Sequence, residues 1–312
     1  MLATLIPFFL VAHIEVDESA WKYGPEYEFD VEFKSTWTPM SHDAVQTSNY
    51  TFVNLLCRPK ATDILNCRLD NMKKQNTDVT NEENVQISEE QLKKEINQKP
   101  FEIKFGDRGI DYLIVDEDIC TQELNFLKTI AELLSIGADL NGVPDGKFEA
   151  TENSTIGYCN VTFDVNHTPW KEYISPHSTR QRYMLESLPH LNKVHGETIE
   201  INKSKNLDNC SCYATFYFGS YGESTNLNND LSSHMISFTS HTYVSDVRYL
   251  ASATKKASIG TYENNDYYAI AENISLSLQD IRSAEEHLPH IQRPSKTSIV
   301  ANSPVKRIFS TI

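Results

Sequence analysis

The chain has 312 residues, of which 43 are acidic and 28 basic, and its net charge of −15 argues against a nucleic-acid-binding protein, whose surface would be basic. No stretch supplies the roughly 20 apolar residues that a membrane-spanning helix needs, and 11 Gly and 12 Pro are too few for a collagen-like or low-complexity chain. The length allows one large domain with a sizeable core.

The N-terminus is typical of a signal peptide. An apolar run extends from Leu2 to Ala12, and acidic residues follow from Glu15 onward. Cleavage after Ala12 and after Ala20 both fit, and we assign residues 1–20 to the signal peptide. The alternative is that this run is an N-terminal core strand.

Cysteine and sequon usage also indicates secretion. The six cysteines are an even number, which suits an oxidising compartment. Of seven N-x-[ST] sequons, the one at Asn166 is disfavoured by the nearby Pro169. We predict a secreted, extracellular glycoprotein with glycans at Asn49, Asn153, Asn160, Asn202, Asn209 and Asn273.

Period-two alternation of apolar and polar residues dominates the chain. Tyr27 to Phe33 alternates strictly, and residues 101–115 form a predicted hairpin around Gly106–Gly109. Further strands are predicted at 50–57, 64–69, 157–165, 197–201, 213–219, 235–249 and 267–278. Strands with one solvent-facing side predict a mainly β protein, an antiparallel sandwich or barrel.

One helix is predicted over residues 121–136. Thr121 begins it, Gly137 is placed to end it, and apolar side chains cover most of its circumference. A helix that is apolar on nearly all sides is buried. We therefore expect the sheet to curl around it.

Three segments lack a strong pattern. Residues 70–99 are polar and predicted to be a loop, except for a short helix opening at Ser88–Gln91. Residues 222–233 are a second predicted loop. From His287 onward the chain has no acidic residue, and residues 283–312 are predicted to be a flexible basic C-terminal tail.

Motifs of catalysis are missing from the sequence: it has no nucleophile elbow, phosphate-binding loop, dinucleotide fingerprint or H-E-x-x-H. We therefore predict no catalytic residues, no metal site and no cofactor. One disulfide is predicted from the residues themselves. Arg58 to Asn66 allows the chain to reverse, which sets Cys57 opposite Cys67.

Several segments in order resemble one family. They are Ala20–Tyr27, Lys99–Phe105 followed by Gly109–Ile110, Glu123–Asn125, Gly157–Val161, and Lys203–Cys210 followed by Phe216–Gly219. Together they resemble the N-terminal domain of vitellogenins, the yolk-lipoprotein members of the large lipid transfer protein family. The resemblance covers residues 20–280 and implies a β-barrel wrapped around a buried central helix, which we assign to residues 21–282.

The resemblance also implies site residues. It pairs Cys159 with Cys210, which leaves Cys120 for Cys212 by elimination. The family's Lys-x-Lys receptor-docking run corresponds to Lys203 and Lys205, which must be turned outward by a bulge or strand end near Asn202 to make that contact. The alternative is that both lysines are ordinary solvated charges at a strand edge.

Two functions follow from this resemblance. The first is a secreted vitellogenin-like module that binds a lipoprotein-type cell-surface receptor or another secreted protein. The second is a lipid transporter or nutrient storage protein that binds lipid itself or with a separate chain. The helical and later β parts that hold lipid in the family are not in this sequence, so we expect a truncated member. An extracellular enzyme is the third and weakest reading.

Overall fold

The structure is a computed structural model that describes residues 2–4, 10–14, 22–40, 46–78, 81–86, 99–169, 183–187, 191–211, 231–261, 267–303 and 305–307. The strands before the helix are β1 (Leu2–Thr4), β2 (Leu10–Ile14), β3 (Pro25–Pro39), β4 (Thr47–Ala61), β5 (Ile64–Asp78), β6 (Asn81–Gln86), β7 (Phe101–Gly106) and β8 (Gly109–Asp116). The helix α1 spans Thr121–Leu133. The later strands are β9 (Gly146–Ser154), β10 (Gly157–Pro169), β11 (Tyr183–Ser187), β12 (Glu197–Ser211), β13 (Leu231–Val244), β14 (Tyr249–Thr261), β15 (Tyr267–Ser283), β16 (Pro294–Thr297) and β17 (Lys306–Arg307).

Eleven strands form a closed barrel. Their order is β8-β7-β5-β4-β3-β15-β14-β13-β12-β10-β9, with antiparallel neighbours throughout. The circle closes where β8 meets β9 in parallel, with Gly109 opposite Asn153. The predicted antiparallel barrel around a helix is confirmed.

The alternating sequence explains the wall of the barrel. In β3, the side chains of Tyr27, Phe29 and Val31 point inward and are at most 1% exposed, whereas Asp30 and Glu32 face solvent. Successive side chains of a strand point to opposite faces, so this pattern gives each strand one apolar face. Removal of that face from water is the main force that closes the barrel.

The helix α1 lies inside the barrel. All its residues from Glu123 to Leu133 are buried, and the ring of Phe126 packs edge-on against Phe33 with 5.9 Å between centroids. The helix ends three residues earlier than predicted, because the Leu134 N–H donates a hydrogen bond to the Ala131 carbonyl, only three residues back, at 3.0 Å. Gly137 follows with a φ of 84°, a conformation that glycine adopts readily.

The predicted loop over residues 70–99 is wrong in its first half. Residues 70–78 continue β5 as the antiparallel partner of β4, and residues 81–86 form β6. Pairing with β4 supplies backbone hydrogen bonds whatever the side chains are, so a polar sequence forms the far end of a long hairpin. Ser88–Gln91 lies outside the described residues.

Other strand predictions need smaller corrections. The strand predicted at 235–249 is two strands, because the chain turns at residues 245–248, where Ser245 N–H donates to the Arg248 carbonyl at 2.9 Å. Most of β14 was not predicted, since its small residues carry little hydrophobic signal. Residues 213–219 and 222–230 lie outside the described residues, and the predicted loop end at 231–233 belongs to β13.

The predicted flexible tail is also wrong over residues 284–303, which we call the C-terminal strap. Within the strap, β16 pairs with β8, and Ile291, Ile299 and Ala301 are buried. The Ala301 N–H donates to the Thr155 carbonyl at 2.7 Å. The lack of acidic residues indicated a mobile tail, but the buried apolar residues hold the strap on the barrel.

The described part of the predicted signal peptide lies apart from the barrel sheet. There, β1 pairs with β2, and β2 pairs with β11, in a separate three-stranded sheet. This pairing agrees with the core-strand alternative for the backbone. A signal peptide at residues 1–20 stays a prediction.

Candidate functional site

The two lysines predicted to bind a receptor point into the barrel. Strand β12 pairs with β10 and β13 without a register shift between Ile199 and Ser204, so alternation continues through Asn202. Because Ile199 and Ile201 face inward, Lys203 and Lys205 do as well, and their side chains are 4% and 2% exposed. The expected outward turn near Asn202 is therefore corrected, and in this structure neither lysine is accessible to a partner.

Their ammonium groups hold the C-terminal end of α1. Lys203 Nζ donates to the carbonyls of Ser135 and Ile136 at 3.3 and 3.2 Å and to Glu152 Oε1 at 2.6 Å. These carbonyls follow the last turn of the helix, where the partial negative charge favours a cation. Lys203 therefore caps the helix from the barrel wall.

Lys205 connects the same region to the helix itself. Its Nζ pairs with Glu132 of α1 and lies 3.4 Å from Glu152 Oε2. Glu132 also accepts a hydrogen bond from Thr155 at 2.7 Å, and the Thr155 hydroxyl accepts one from Lys255 Nζ at 3.1 Å. The buried charges form what we call the interior ion cluster, whose members are Lys203, Lys205, Lys255, Glu132, Glu152 and Glu272.

The charges of the cluster balance one another. Burial by itself would raise the pKa of Glu132, but Lys205 and Lys255 outweigh this and hold it below its usual range. Burial likewise opposes protonation of Lys205, yet Glu132 and Glu152 raise its pKa. At Lys255 burial dominates and lowers the pKa, although Glu132 and Glu272 oppose it. A buried charge is tolerated when it is paired and hydrogen-bonded, and the pairs of Lys203 with Glu152 and of Lys205 with Glu132 meet this condition.

Nearer its N-terminal end, α1 is covered by the C-terminal strap. Lys128, fully buried, donates to the Val300 carbonyl at 2.8 Å, and Asn125 donates to Asn302 Oδ1 at 2.8 Å. Burial lowers the pKa of Lys128 to about 8 and raises that of Glu123, in the first turn, to about 7. The strap thus satisfies polar groups that an open barrel would expose to water.

Two of the three predicted disulfides are confirmed. Cys57 is bonded to Cys67, and Cys159 to Cys210, each across directly paired strands. Cys120, just before α1, has a free and exposed thiol, so the bridge to Cys212 predicted by elimination is not formed in this structure. Cys212 lies outside the described residues.

The predicted glycan acceptors lie on the outside of the barrel. Asn202, Asn209 and Asn273 are exposed, and the other three acceptors are partly exposed. Glycosylation at these asparagines stays a prediction.

Near Asn202, the outer wall has a polar depression of about 360 Å³ whose lining includes Thr162, Ser204 and His241.

Four of the six members of the interior ion cluster were not predicted from the sequence. Glu272 alternates in phase with the inward-facing Ile270 and Ile274 of β15, so its position was a usable signal. Lys255 alternates in phase with the inward-facing Ala251, Ala253 and Ala257 of β14, so its position in the strand was a usable signal. Glu132 was not predicted to be buried with the lysines, because the burial of the helix was inferred from its apolar residues alone. Glu152 had no sequence signal, since its environment depends on where α1 ends.

The described ranges contain neither a metal-binding cluster nor a membrane-spanning helix. No group of three or more His, Cys, Asp or Glu side chains there is arranged to hold a metal ion. Likewise, no helix found in that part of the chain has the length and apolar character to cross a membrane.

Comparisons with known proteins agree with the barrel and its central helix. The chain spans only about an eighth of the length of the curated relatives it matches. It is 24% identical to a vitellogenin of Anthonomus grandis over 68% of this chain and 12% of the relative. It is also 24% identical to vitellogenin-1 of Solenopsis invicta over 69% and 13%, and 23% identical to vitellogenin-A1 of Aedes aegypti over 86% and 13%.

A solved structure has the same fold. It is described as lipid–protein interactions in lipovitellin, and it superposes with a TM-score of 0.55 at 13% identity, covering 93% of this chain and 28% of that one. The family model for the vitellogenin N-terminal domain matches residues 21–286, most of the chain. The chain therefore belongs to the vitellogenin N-terminal domain family.

Proposed function

We propose that the chain is a secreted, non-enzymatic module that binds a protein partner, a lipoprotein-type cell-surface receptor or another secreted protein, in a lipid-transport or yolk-protein setting. The observation that carries the proposal is the filled barrel. Helix α1 and the interior ion cluster occupy the inside, so the outer wall is the surface that is left for function.

The second candidate is lipid transport or storage, in which the chain binds lipid itself or with a separate chain. It is favoured by the likeness to a lipovitellin structure whose description concerns lipid–protein interactions. Within the described residues, the cavity beside the barrel seam, lined by Phe105, Leu134 and Ile136, holds only about 50 Å³. Typical ligand pockets have roughly 300–1,000 Å³ and a mostly apolar lining. The depression near Asn202 has the volume, about 360 Å³, but is lined mainly by polar residues, so this candidate works best with a separate lipid-bearing chain.

One preparation tests both candidates. The protein is secreted from cultured cells, purified, and analysed by native mass spectrometry and by solvent extraction of lipid. We expect a lipid-free protein that binds the ectodomain of a lipoprotein-type receptor in a titration. Stoichiometric lipid on the isolated chain, without receptor binding, would instead establish the second candidate.

A further inference from the structure

The longest run of neighbouring strands without a glycan acceptor lies at one end of the strand order. The seven sequon asparagines lie in β4, β9, β10, β12 and β15. Strands β5, β7, β8, β16 and β17 are consecutive neighbours in the sheet and contain none. Strands β3, β13 and β14 contain none either, but they lie between sequon-bearing strands. We call the longest run the sequon-free wall, because N-linked sugars, which shield the surface around them, would leave it bare.

A pair of lysines stands at the edge of this wall. Lys296 of β16 lies directly opposite Lys306 of β17, and both are exposed. Like charges in directly opposed positions destabilise a strand pair. Within the part of the chain that the structure describes, no ion pair with a carboxylate offsets either charge, although Arg293 in the same strap is neutralised by Asp116 and Glu117.

Aromatic and aliphatic surface adjoins the two cations. The Lys296 ammonium lies 3.5 Å from the centroid of the Tyr112 ring, and Lys296 is the register partner of Ile114 on β8. Tyr112 and Ile114 are both partly exposed. Protein interfaces combine such partly exposed aromatic surface with charges that select the partner.

We propose that Lys296, Lys306, Tyr112 and Ile114 form a docking surface for an acidic protein partner. The inference rests on the proposed function and names the surface that carries it. It replaces Lys203 and Lys205, which are buried. On a chain with a net charge of −15, a local basic edge counters the general repulsion of an acidic partner. A protein is favoured over a membrane, since membrane attraction typically takes clusters of about 4–8 basic residues.

The test compares two double charge reversals in the glycosylated, secreted chain. The test variant is Lys296→Glu/Lys306→Glu. The control is Lys147→Glu/Lys256→Glu, which reverses two exposed lysines, one in the sequon-bearing β9 and one in β14 beside the sequon-bearing β15. The probes are the acidic ligand-binding modules of a lipoprotein-type receptor, a synthetic polyglutamate peptide, and vesicles containing phosphatidylserine. Circular dichroism and thermal unfolding check that both variants fold.

We expect the test variant to bind the receptor modules roughly tenfold more weakly, with a reduced salt dependence, and the control to keep its affinity. Equal affinity in both variants would overturn the docking surface and leave the proposed function standing.

If the wild type does not bind the receptor modules, that receptor is not the partner, and crosslinking to the polyglutamate peptide tests the surface instead. Carbodiimide crosslinks concentrated at Lys296 and Lys306 then support the surface, whereas crosslinks spread evenly over exposed lysines overturn it. Vesicle binding that only the test variant loses, without any polyglutamate crosslink, would assign the surface to a membrane and overturn the protein partner.

Discussion

Lys203 and Lys205 allow two opposite interpretations, an exposed cation that binds a partner or a buried cation that pairs with a carboxylate. In sequence they resemble a receptor-docking motif on a strand, and long cations are usually exposed. In the structure they are buried beside Glu132 and Glu152 and tie the barrel wall to α1. A buried ion pair stabilises little when compared with an apolar pair, but it costs much when one partner is removed.

Replacing Lys205 with Met separates these readings. Glu132 would lose its paired cation in a buried site, so we expect the free energy of unfolding to fall by about 3–5 kcal/mol. Urea unfolding of Lys205→Met measures this, with the exposed Lys256→Met as control. Adding Glu132→Gln should recover part of the loss, because the uncompensated charge is removed. Unchanged stability in Lys205→Met would restore the lysine to a solvated role.

The buried Lys128 makes a pH-dependent prediction. Its pKa is about 8 in the folded protein and near 10.4 in the unfolded chain. Between these values the unfolded state binds more protons, so the contribution of Lys128 to stability increases with rising pH. From pH 8 to 9.5 we expect the wild type to gain roughly 1–2 kcal/mol relative to Lys128→Met.

This gain is measured from urea unfolding of both proteins across that pH range. Parallel curves for the wild type and Lys128→Met would show that Lys128 keeps an ordinary pKa and is not buried. Tyr27 and Tyr249, whose pKa values burial raises, titrate above this window in both proteins.

At the scale of elements, α1 is held by two parts of the molecule, the barrel wall and the C-terminal strap. The barrel wall packs against the apolar residues of α1, and Lys203 of the wall donates hydrogen bonds just beyond its C-terminal end. The C-terminal strap accepts hydrogen bonds from Lys128 and Asn125. Isolated helices of this length are marginal in water, so these surroundings stabilise α1.

Leu127→Ala tests the packing of the helix. The side chain is 3% exposed, and the cavity left behind should cost about 2–5 kcal/mol of unfolding free energy. The exposed Gln122 of the same helix provides the control, and Gln122→Ala should change stability by less than about 0.5 kcal/mol. A loss below about 1 kcal/mol at Leu127 would place the helix on the surface.

The strap is tested by Ile299→Ser. Ile299 is 2% exposed, so we expect a loss of roughly 2–4 kcal/mol from the missing apolar contacts and the buried hydroxyl. Limited proteolysis should cut this variant after residue 283 sooner than the wild type. Gln292→Ala, at an exposed position, serves as the neutral control, and equal cleavage of all three proteins would favour a mobile tail.

At the scale of the whole molecule, the N-terminal strands are separable from the barrel. Strands β1 and β2 pair only with each other and with β11 among the described residues, and no barrel strand depends on them for its ladder. Removal of a signal peptide would therefore leave the barrel sheet complete.

We expect the protein secreted from cultured cells to begin at Trp21. Mass spectrometry of its N-terminal peptide measures this, and the same digest, after enzymatic removal of N-glycans, reports which sequon asparagines were modified. A secreted chain that retains residues 1–20 would contradict the signal peptide and favour the core-strand alternative.

The sequence by itself determined the antiparallel strands, because strict alternation needs only local information: each strand must bury one face. The buried helix and the family resemblance then favoured a barrel over a sandwich. The sequence also determined that α1 is buried, because packing one side of this helix against a sheet would leave its other apolar side chains in water. It determined the Cys57–Cys67 pair as well, because only a short connection separates the two cysteines. Only the tertiary structure decided where Lys203, Lys205 and the strap lie. Alternation did place the two lysines on the inner face, but whether that face could accept charge depended on Glu132 and Glu152, which are distant in sequence. The energy of a buried ion depends on its partners, and partners from separate strands and a helix meet only when the barrel has closed.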